Sequence, residues 1–270
     1  MLFPDLSIIT VFYSEPLYVD TYFQSILDVY GELPCFFIAG DNGNHKETCE
    51  RLYHWKSKYP DIILLESFPE NLGFAKANNR LASLAKTELV LFLNPDAVLI
   101  SDCLYPCVKR VIKHNEIVTP VLISKSKPYL FFSPFPHRIF YSFLILLYRC
   151  CPSYLITEPD WIQGAFMMMQ RRTFLDLGGF DERFFLYTED LAFCLRAYKR
   201  GVSVKILNTL KMEHPSTRMD DLKFELILSQ MKTLYNGKIP TPYTVHIFIR
   251  SFFSQFGRRQ WEILKKVNHS

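Results

Sequence analysis

Between Leu6 and Leu93 the chain changes texture from strand to helix repeatedly, and each strand-like run stops at a polar turn. Leu6-Ser7-Ile8-Ile9-Thr10-Val11-Phe12-Tyr13 is β-rich and carries no helical stripe, so it reads as a buried first strand. Ser14-Glu15-Pro16 breaks it. Pro16 suits a first helical turn, and Leu17 to Val29 places apolar residues at near-helical spacing. Pro34 to Gly40 is a second strand that stops at Asp41-Asn42-Gly43-Asn44, and Glu47 to Tyr59 reads as a helix. Ile62 to Leu65 is a third strand, Asn71-Leu72-Gly73-Phe74 a turn, and Ala75 to Ala85 a helix. Leu89 to Leu93 is the fourth strand, closed by Asn94-Pro95-Asp96. This alternation predicts an α/β fold with a mostly parallel sheet and crossover helices. In such folds, polar turns directly after strands are where ligands make contact.

Composition narrows the function. With 49% hydrophobic and 21% charged residues among 270, the chain can bury the core of one large α/β domain or two small ones. A formal charge of +4 is too small to make nucleic acid the main partner. Seven cysteines, with no Cys-x-x-Cys pair and no zinc-finger spacing, read as reduced thiols in a cytosolic protein. Met-Leu-Phe-Pro-Asp leads into a strand without a secretory signal. No dinucleotide glycine fingerprint follows the first strand, which counts against a nicotinamide or flavin enzyme.

The second half reads less regularly. Tyr129 to Cys151 is apolar and aromatic but interrupted. Its clean part, Ile139 to Tyr148, is too short to span a bilayer and reads as a buried or an interfacial helix. Trp161 to Gln170 reads as a strand, Arg172 to Leu177 as a short helix, Gly178-Gly179 as a break and Glu189 to Arg200 as a helix stopped by Gly201. Val202 to Leu207 is another strand, and Met212-Glu213-His214-Pro215-Ser216-Thr217 a polar loop. From Val245 to Lys266 aromatic residues alternate with basic ones. They either rest on a membrane surface or pack on the domain.

Two runs end in acid. Leu91-Phe92-Leu93 delivers Asn94 and Asp96, and Phe184 to Thr188 delivers Glu189 and Asp190. Asn-Pro-Asp is also ordinary turn chemistry. Thr188 with acids behind it is also ordinary helix capping. A carboxylate fixed at a helix start can nonetheless serve as a general base. A cation on a diphosphate needs only one or two protein carboxylates. His214, alone in a polar loop, and Asp41, in a turn, are structural residues before they are ligands.

Taken in order, these blocks resemble family 2 glycosyltransferases of the GT-A fold, rhamnosyltransferase-type enzymes above all. The likeness is carried by Ser7 to Tyr13, Asp41-Asn42-Gly43, Asn71-Leu72-Gly73-Phe74-Ala75-Lys76-Ala77-Asn78-Asn79 and Leu93-Asn94-Pro95-Asp96. It continues in Asp160-Trp161-Ile162-Gln163-Gly164-Ala165-Phe166 and in Gly178-Gly179-Phe180-Asp181, which leads to Glu189-Asp190. The resemblance implies a catalytic domain over residues 1–217: a nucleotide-sugar half at 1–100 and an acceptor half at 101–217. An aromatic helical extension would follow at 218–270. Tyr13, Asp41, Gly73, Asn78, Asn94 and Asp96 would surround the nucleotide sugar, and Trp161, Gln163, Gly164 and Glu189 would line the acceptor side. Asp190 would be the base, and Asp96 with His214 would hold Mg²⁺ or Mn²⁺. Asn94 stands where the family's Asp-x-Asp motif has its first acid, Ser14 where Asn is common and Ala192 where an acid often follows.

The resemblance further implies inverting, metal-dependent transfer from a nucleotide-diphosphate sugar, dTDP-rhamnose first, with UDP- and GDP-sugars open. The acceptor would be a saccharide or a polyprenyl-diphosphate-linked chain in cell-surface polysaccharide assembly. The protein would be cytoplasmic, peripheral on the inner face of the inner membrane. A non-catalytic sugar-nucleotide binder is the alternative; it would not need Asp190.

Overall fold

The computed structural model describes residues 3, 5–125, 127–128, 132–151, 156–215 and 219–269. The first half follows the alternation of the sequence: β1 (Leu6–Phe12), α1 (Pro16–Tyr30), β2 (Phe36–Asp41), α2 (Lys46–Lys58), β3 (Ile63–Ser67), α3 (Gly73–Leu84) and β4 (Leu89–Leu93). Pro16 opens α1, and Gly31, at φ 75°, closes it by donating its N–H to the Leu27 carbonyl. Next come β5 (Val98–Leu99), α4 (Leu104–His114), β6 (Ile117–Ser124), β7 (Lys127–Pro128), β8 (Phe132–Ser133), α5 (Tyr141–Cys150), β9 (Trp161–Ile162), β10 (Phe166–Gln170), α6 (Arg171–Asp176), α7 (Glu189–Lys199) and β11 (Val204–Glu213). The chain ends in three helices, α8 (Asp221–Leu234), α9 (Thr241–Phe253) and α10 (Gln255–His269).

The central sheet has the order β3-β2-β1-β4-β10-β6-β11-β5, with β7 paired to β6. β1 to β4, β6 and β11 point one way, while β10 and β5 oppose them. The mostly parallel α/β sheet expected from sequence is therefore present. Helices cover both faces, so the strands alternate between two cores. Ile8, Leu91 and Met168 face one core with Phe23 and Trp55. Ile9, Phe92 and Met167 face the other with Leu81, Phe174 and Phe193. Every residue of β4 is at most 3% exposed, which explains its unbroken apolar run.

Three sequence expectations are corrected. Trp161 to Gln170 is not one strand. β9 pairs with β8 in a separate two-stranded sheet, β10 joins the central sheet, and Gln163-Gly164-Ala165 carries the chain between them. Met212 and Glu213 are not in a loop. They lie in β11, paired with Leu122 and Ile123 on one side and with Leu99 and Val98 on the other, and this ladder overrides their polar neighbourhood. Thr188 does not cap α7 with its side chain. It sits at φ 70°, and its hydroxyl makes no cap hydrogen bond. Of the polar loop, Ser216 and Thr217 lie outside the described residues, as do Tyr129 to Phe131 of the aromatic segment.

The helical tail has its own apolar centre, built by Phe224, Leu228, Ile247, Leu264 and Val267. Its aromatic residues divide between that centre and solvent.

Candidate active site

A cleft of about 450 Å³ opens at the carboxyl ends of β1, β2 and β4, walled by Tyr13, Tyr18, Asn42, Asn71, Gly73, Phe74, Asn78, Asn94, Asp96, Phe185 and Leu186 among others. Ligand sites in α/β sheets fall at such strand ends. Of the residues expected to surround a nucleotide sugar, Tyr13, Gly73, Asn78, Asn94 and Asp96 line this cleft. Asp41 is 1% exposed and stands behind the wall. Its carboxylate accepts the Gly43 N–H at 3.3 Å and the Cys49 thiol at 2.7 Å. Burial, and then the bond to Asp41, pushes the Cys49 thiol up to about 11.

The wall itself is made by two amides that the sequence reading quoted but gave no role. Asn42 Oδ1 accepts the Leu72 N–H at 2.8 Å, and Asn42 Nδ2 donates to Asn71 Oδ1 at 2.9 Å. Asn71 Oδ1 also takes the Gly73 N–H at 2.9 Å. This network shapes the turn into α3. Gly73 adopts φ +75°, and a Cβ there would run into the Phe185 backbone and ring. Asn78, 2% exposed, donates to the Phe74 carbonyl at 2.9 Å. Tyr18 was also missed. Its hydroxyl is held above the usual phenol range by burial, then by the charges of Asp96 and Glu15. Tyr18 stands in the first turn of α1, and helical periodicity does not say that a side chain there lines a cleft.

Asp96 and His214 are 118 positions apart yet meet, because β5 follows the Asn94-Pro95-Asp96 turn and pairs with the end of β11. His214 Nε2 lies 3.2 Å from Asp96 Oδ1 and 3.4 Å from the Asn94 amide. His214 is 4% exposed rather than solvated. Asp96 Oδ1 is buried and accepts no hydrogen bond of good geometry. No cluster of three or more His, Cys, Asp or Glu able to hold a metal occurs among the described residues. One carboxylate, one imidazole and one amide, with a buried unsatisfied carboxylate oxygen, still fit a cation whose remaining ligands come from a diphosphate.

The second acidic end lies at the start of α7. Asp190 Oδ2 accepts the Gly164 N–H at 3.2 Å, and Oδ1 accepts the Leu191 N–H at 2.7 Å. Burial pushes the Asp190 carboxyl up to about 6, against the opposing pull of those backbone donors. Glu189 is driven well above the carboxylate range by burial and then by the charge of Asp190. Its Oε2, the Thr188 hydroxyl and Gln163 Oε1 are buried without hydrogen-bond partners. Trp161, the first residue of β9, is half-buried and packs against the second core. A two-bond relay joins the two acidic ends. The Asn94 N–H donates to the Ala165 carbonyl at 3.0 Å, and the preceding Gly164 N–H holds Asp190.

A sheet of this order, with an acidic turn after β4 and a carboxylate opening a helix across from it, defines the GT-A class of glycosyltransferase fold. A mannosyltransferase from Pyrobaculum calidifontis, solved with GDP-Man and Mn²⁺, has a TM-score of 0.65 at 16% identity, over 98% of this chain and 74% of that one. GalNAc-T7, solved with UDP, GalNAc and Mn²⁺, has a TM-score of 0.70 at 11% identity, over 97% of this chain and 55% of that one. The sequence narrows the class: the glycosyl transferase family 2 model matches residues 7–178, and the chain belongs to that family. It is similar to the rhamnosyltransferase WbbL of Escherichia coli K12, 26% identical over 160 residues. That match spans 48% of this chain and little more than half, 56%, of WbbL. It is similar also to the hexosyltransferase Agl10 of Haloferax volcanii, a protein of low-salt glycan biosynthesis. That match is 26% identical over 227 residues, 82% of this chain and 70% of Agl10.

Proposed function

We propose that the chain is an inverting glycosyltransferase. It moves a sugar from a nucleoside diphosphate to a hydroxyl of a lipid-linked or oligosaccharide acceptor in cell-surface polysaccharide assembly, at the cytoplasmic face of the membrane. Rhamnose from dTDP-rhamnose is the first donor to test, on the similarity to WbbL. The observation that carries this reading is the relay from Asn94 through Ala165 and Gly164 to Asp190, which fixes a basic carboxylate relative to the acidic cleft tip.

An acceptor hydroxyl ionises far above neutrality, so it needs a base as it attacks the anomeric carbon. Asp190, with its carboxyl near 6, is charged at neutral pH and basic enough to accept that proton. Attack from the face opposite the leaving diphosphate inverts the anomeric carbon. The Asn42–Asn71 network and Asn78 shape the cleft that would orient the donor. Mg²⁺ or Mn²⁺ would be held by Asp96 and His214, with Asn94 beside them, and would offset charge on the leaving diphosphate.

Purified protein is offered dTDP-rhamnose and a panel of UDP- and GDP-sugars, with and without Mn²⁺, and free nucleoside diphosphate is measured. Metal-dependent release from one donor, abolished by Asp190→Asn, is expected. Release from none of them, or equal release by the folded variant, overturns the reading.

A further inference from the structure

We propose that the groove between α5 and the α9–α10 hairpin seats a lipid phosphate, and that the apolar helix faces beside it rest on an anionic bilayer. The groove, about 320 Å³, is walled by Tyr141, Arg149, Tyr243, His246, Arg250 and Phe256 among others, with no Asp or Glu in its wall. Burial, and then the nearby Arg149 guanidinium, disfavour the charge on Arg250. Neither makes an ion pair among the described residues. Two unneutralised guanidiniums in one concave, half-buried site call for an anion with several oxygens, and Arg suits phosphate.

The surroundings choose the source of that phosphate. On α9, Val245, Phe248, Ile249 and Phe252 recur at i, i+3, i+4 and i+7, and all are exposed. On α5, Phe143 and Leu146 are more than half exposed. The two helices pack together, with the Tyr141 ring 5.6 Å from both Tyr243 and His246. A free anion would need no such apolar rim, whereas an interfacial helix pair does.

Charge points the same way. Residues 1–218 hold 23 Lys and Arg against 23 Asp and Glu, while residues 219–270 hold 8 against 4. The whole formal excess therefore lies in the helical tail, where Arg258, Arg259, Lys265 and Lys266 are exposed. Among the described residues no helix is long and apolar enough to cross a membrane, so α5 and α9 would lie in the interface. α5 also packs against β8, the partner of the strand carrying Trp161, so docking would bring the acceptor side towards the lipid.

The test is co-sedimentation of the full chain with phosphatidylglycerol/phosphatidylethanolamine vesicles and with phosphatidylcholine vesicles, at 0.15 M salt, where the Debye length is about 8 Å. Binding confined to the phosphatidylglycerol vesicles is expected. Arg149→Gln should weaken it about fivefold, and Leu146→Glu with Phe252→Glu at least about tenfold. All three sites are solvent-facing, so circular dichroism melts should match wild type, and donor hydrolysis without vesicles should be unchanged. That last readout separates a failure here from a failure of the transferase reading. Absent binding, or equal binding by both variants, overturns the proposal. So does a solution dimer that Phe252→Glu dissolves, because the face would then belong to a second copy.

Discussion

The Gly164 N–H donates to the Asp190 carboxylate at 3.2 Å, and the glycine lies close against the Phe74 ring. A Cβ at position 164 would stand 3.3 Å from the Phe74 ring and 3.8 Å from Asp190 Cβ. Asp190, the proposed base, is thus held by backbone donors rather than by a charged partner. Burial raises the part-buried Asp190 carboxyl, and these donors only partly offset it, so it stays basic.

As the proposed base, Asp190 should set an acid limit to activity. With its carboxyl at about 6, kcat/KM should rise as pH increases through that value and level off above it. Asp190→Asn should lower turnover by about 10²–10⁴-fold and abolish that limb. Stability moves the other way. Between the ordinary aspartate value of 3.8 and about 6, the folded chain holds a proton that the unfolded chain releases, so stability falls as pH rises through this window. Asp190→Asn removes the buried charge but satisfies only one of the two N–H donors. It should raise stability at pH 7 by about 1–2 kcal/mol. Denaturant melts at pH 4 and pH 7 check the sign: a gain at pH 4 as large as at pH 7 would contradict the assignment.

The cation site should be incomplete without donor. Asp96, His214 and Asn94 give one carboxylate, one imidazole and one amide. Mn²⁺ alone should hardly shift the melting temperature. Mn²⁺ with a nucleoside diphosphate should shift it well beyond the nucleotide alone. Asp96→Asn should remove the synergy and leave the nucleotide-only shift in place. A tight Mn²⁺ complex without nucleotide would mean that further protein ligands contribute.

The strands β1 to β4 and their mostly parallel sheet were legible because each strand there is a contiguous apolar run bounded by a turn. The Asn71 to Asn79 block and both acidic ends were legible as motifs. What escaped was whatever depended on pairing between distant segments. The polar residues Lys211 and Glu213 join a strand only because β6 and β5 supply partners. Gly164 lies outside its expected strand, and its N–H goes to the Asp190 carboxylate rather than to a ladder partner. Asp41 looked like a ligand contact, but Cys49, eight residues on, turns its carboxylate behind the wall. Thr188 has the composition of a cap but sits left-handed, because Tyr187 and Thr188 both turn at positive φ.

Gly73 and Phe74 join the cleft wall to the loop that leads to Asp190. The Phe74 N–H donates to the Phe185 carbonyl at 2.7 Å, and a Cβ on Gly73 would lie 2.7 Å from Phe185 Cδ2. Gly73→Ala meets both the left-handed backbone cost and this clash. It should lose about 2 kcal/mol or more and raise the donor KM. Gly178→Ala is the control. Its φ is +81° but nothing lies within 4 Å, so it should lose only about 1 kcal/mol and leave KM alone. Urea melts and donor kinetics on both variants separate the clash from the strain.

Cys49 should act on donor binding without touching the donor. Its thiol donates to Asp41 Oδ2, and the other Asp41 oxygen takes the Gly43 N–H at 3.3 Å. Asp41 and Asn42 are consecutive, so freeing the Asp41 carboxylate should disturb the Asn42–Asn71 wall. Cys49→Ala should raise the donor KM several-fold with kcat within about twofold, because the interaction lost holds the ground state and the transition state alike. Cys49→Ser restores a hydroxyl donor to the same carboxylate and should recover most of the wild-type KM. Equal KM for Ala and wild type would show that Asp41 stays in place through Gly43 alone. A fall in kcat with KM unchanged would instead connect Asp41 to the chemical step.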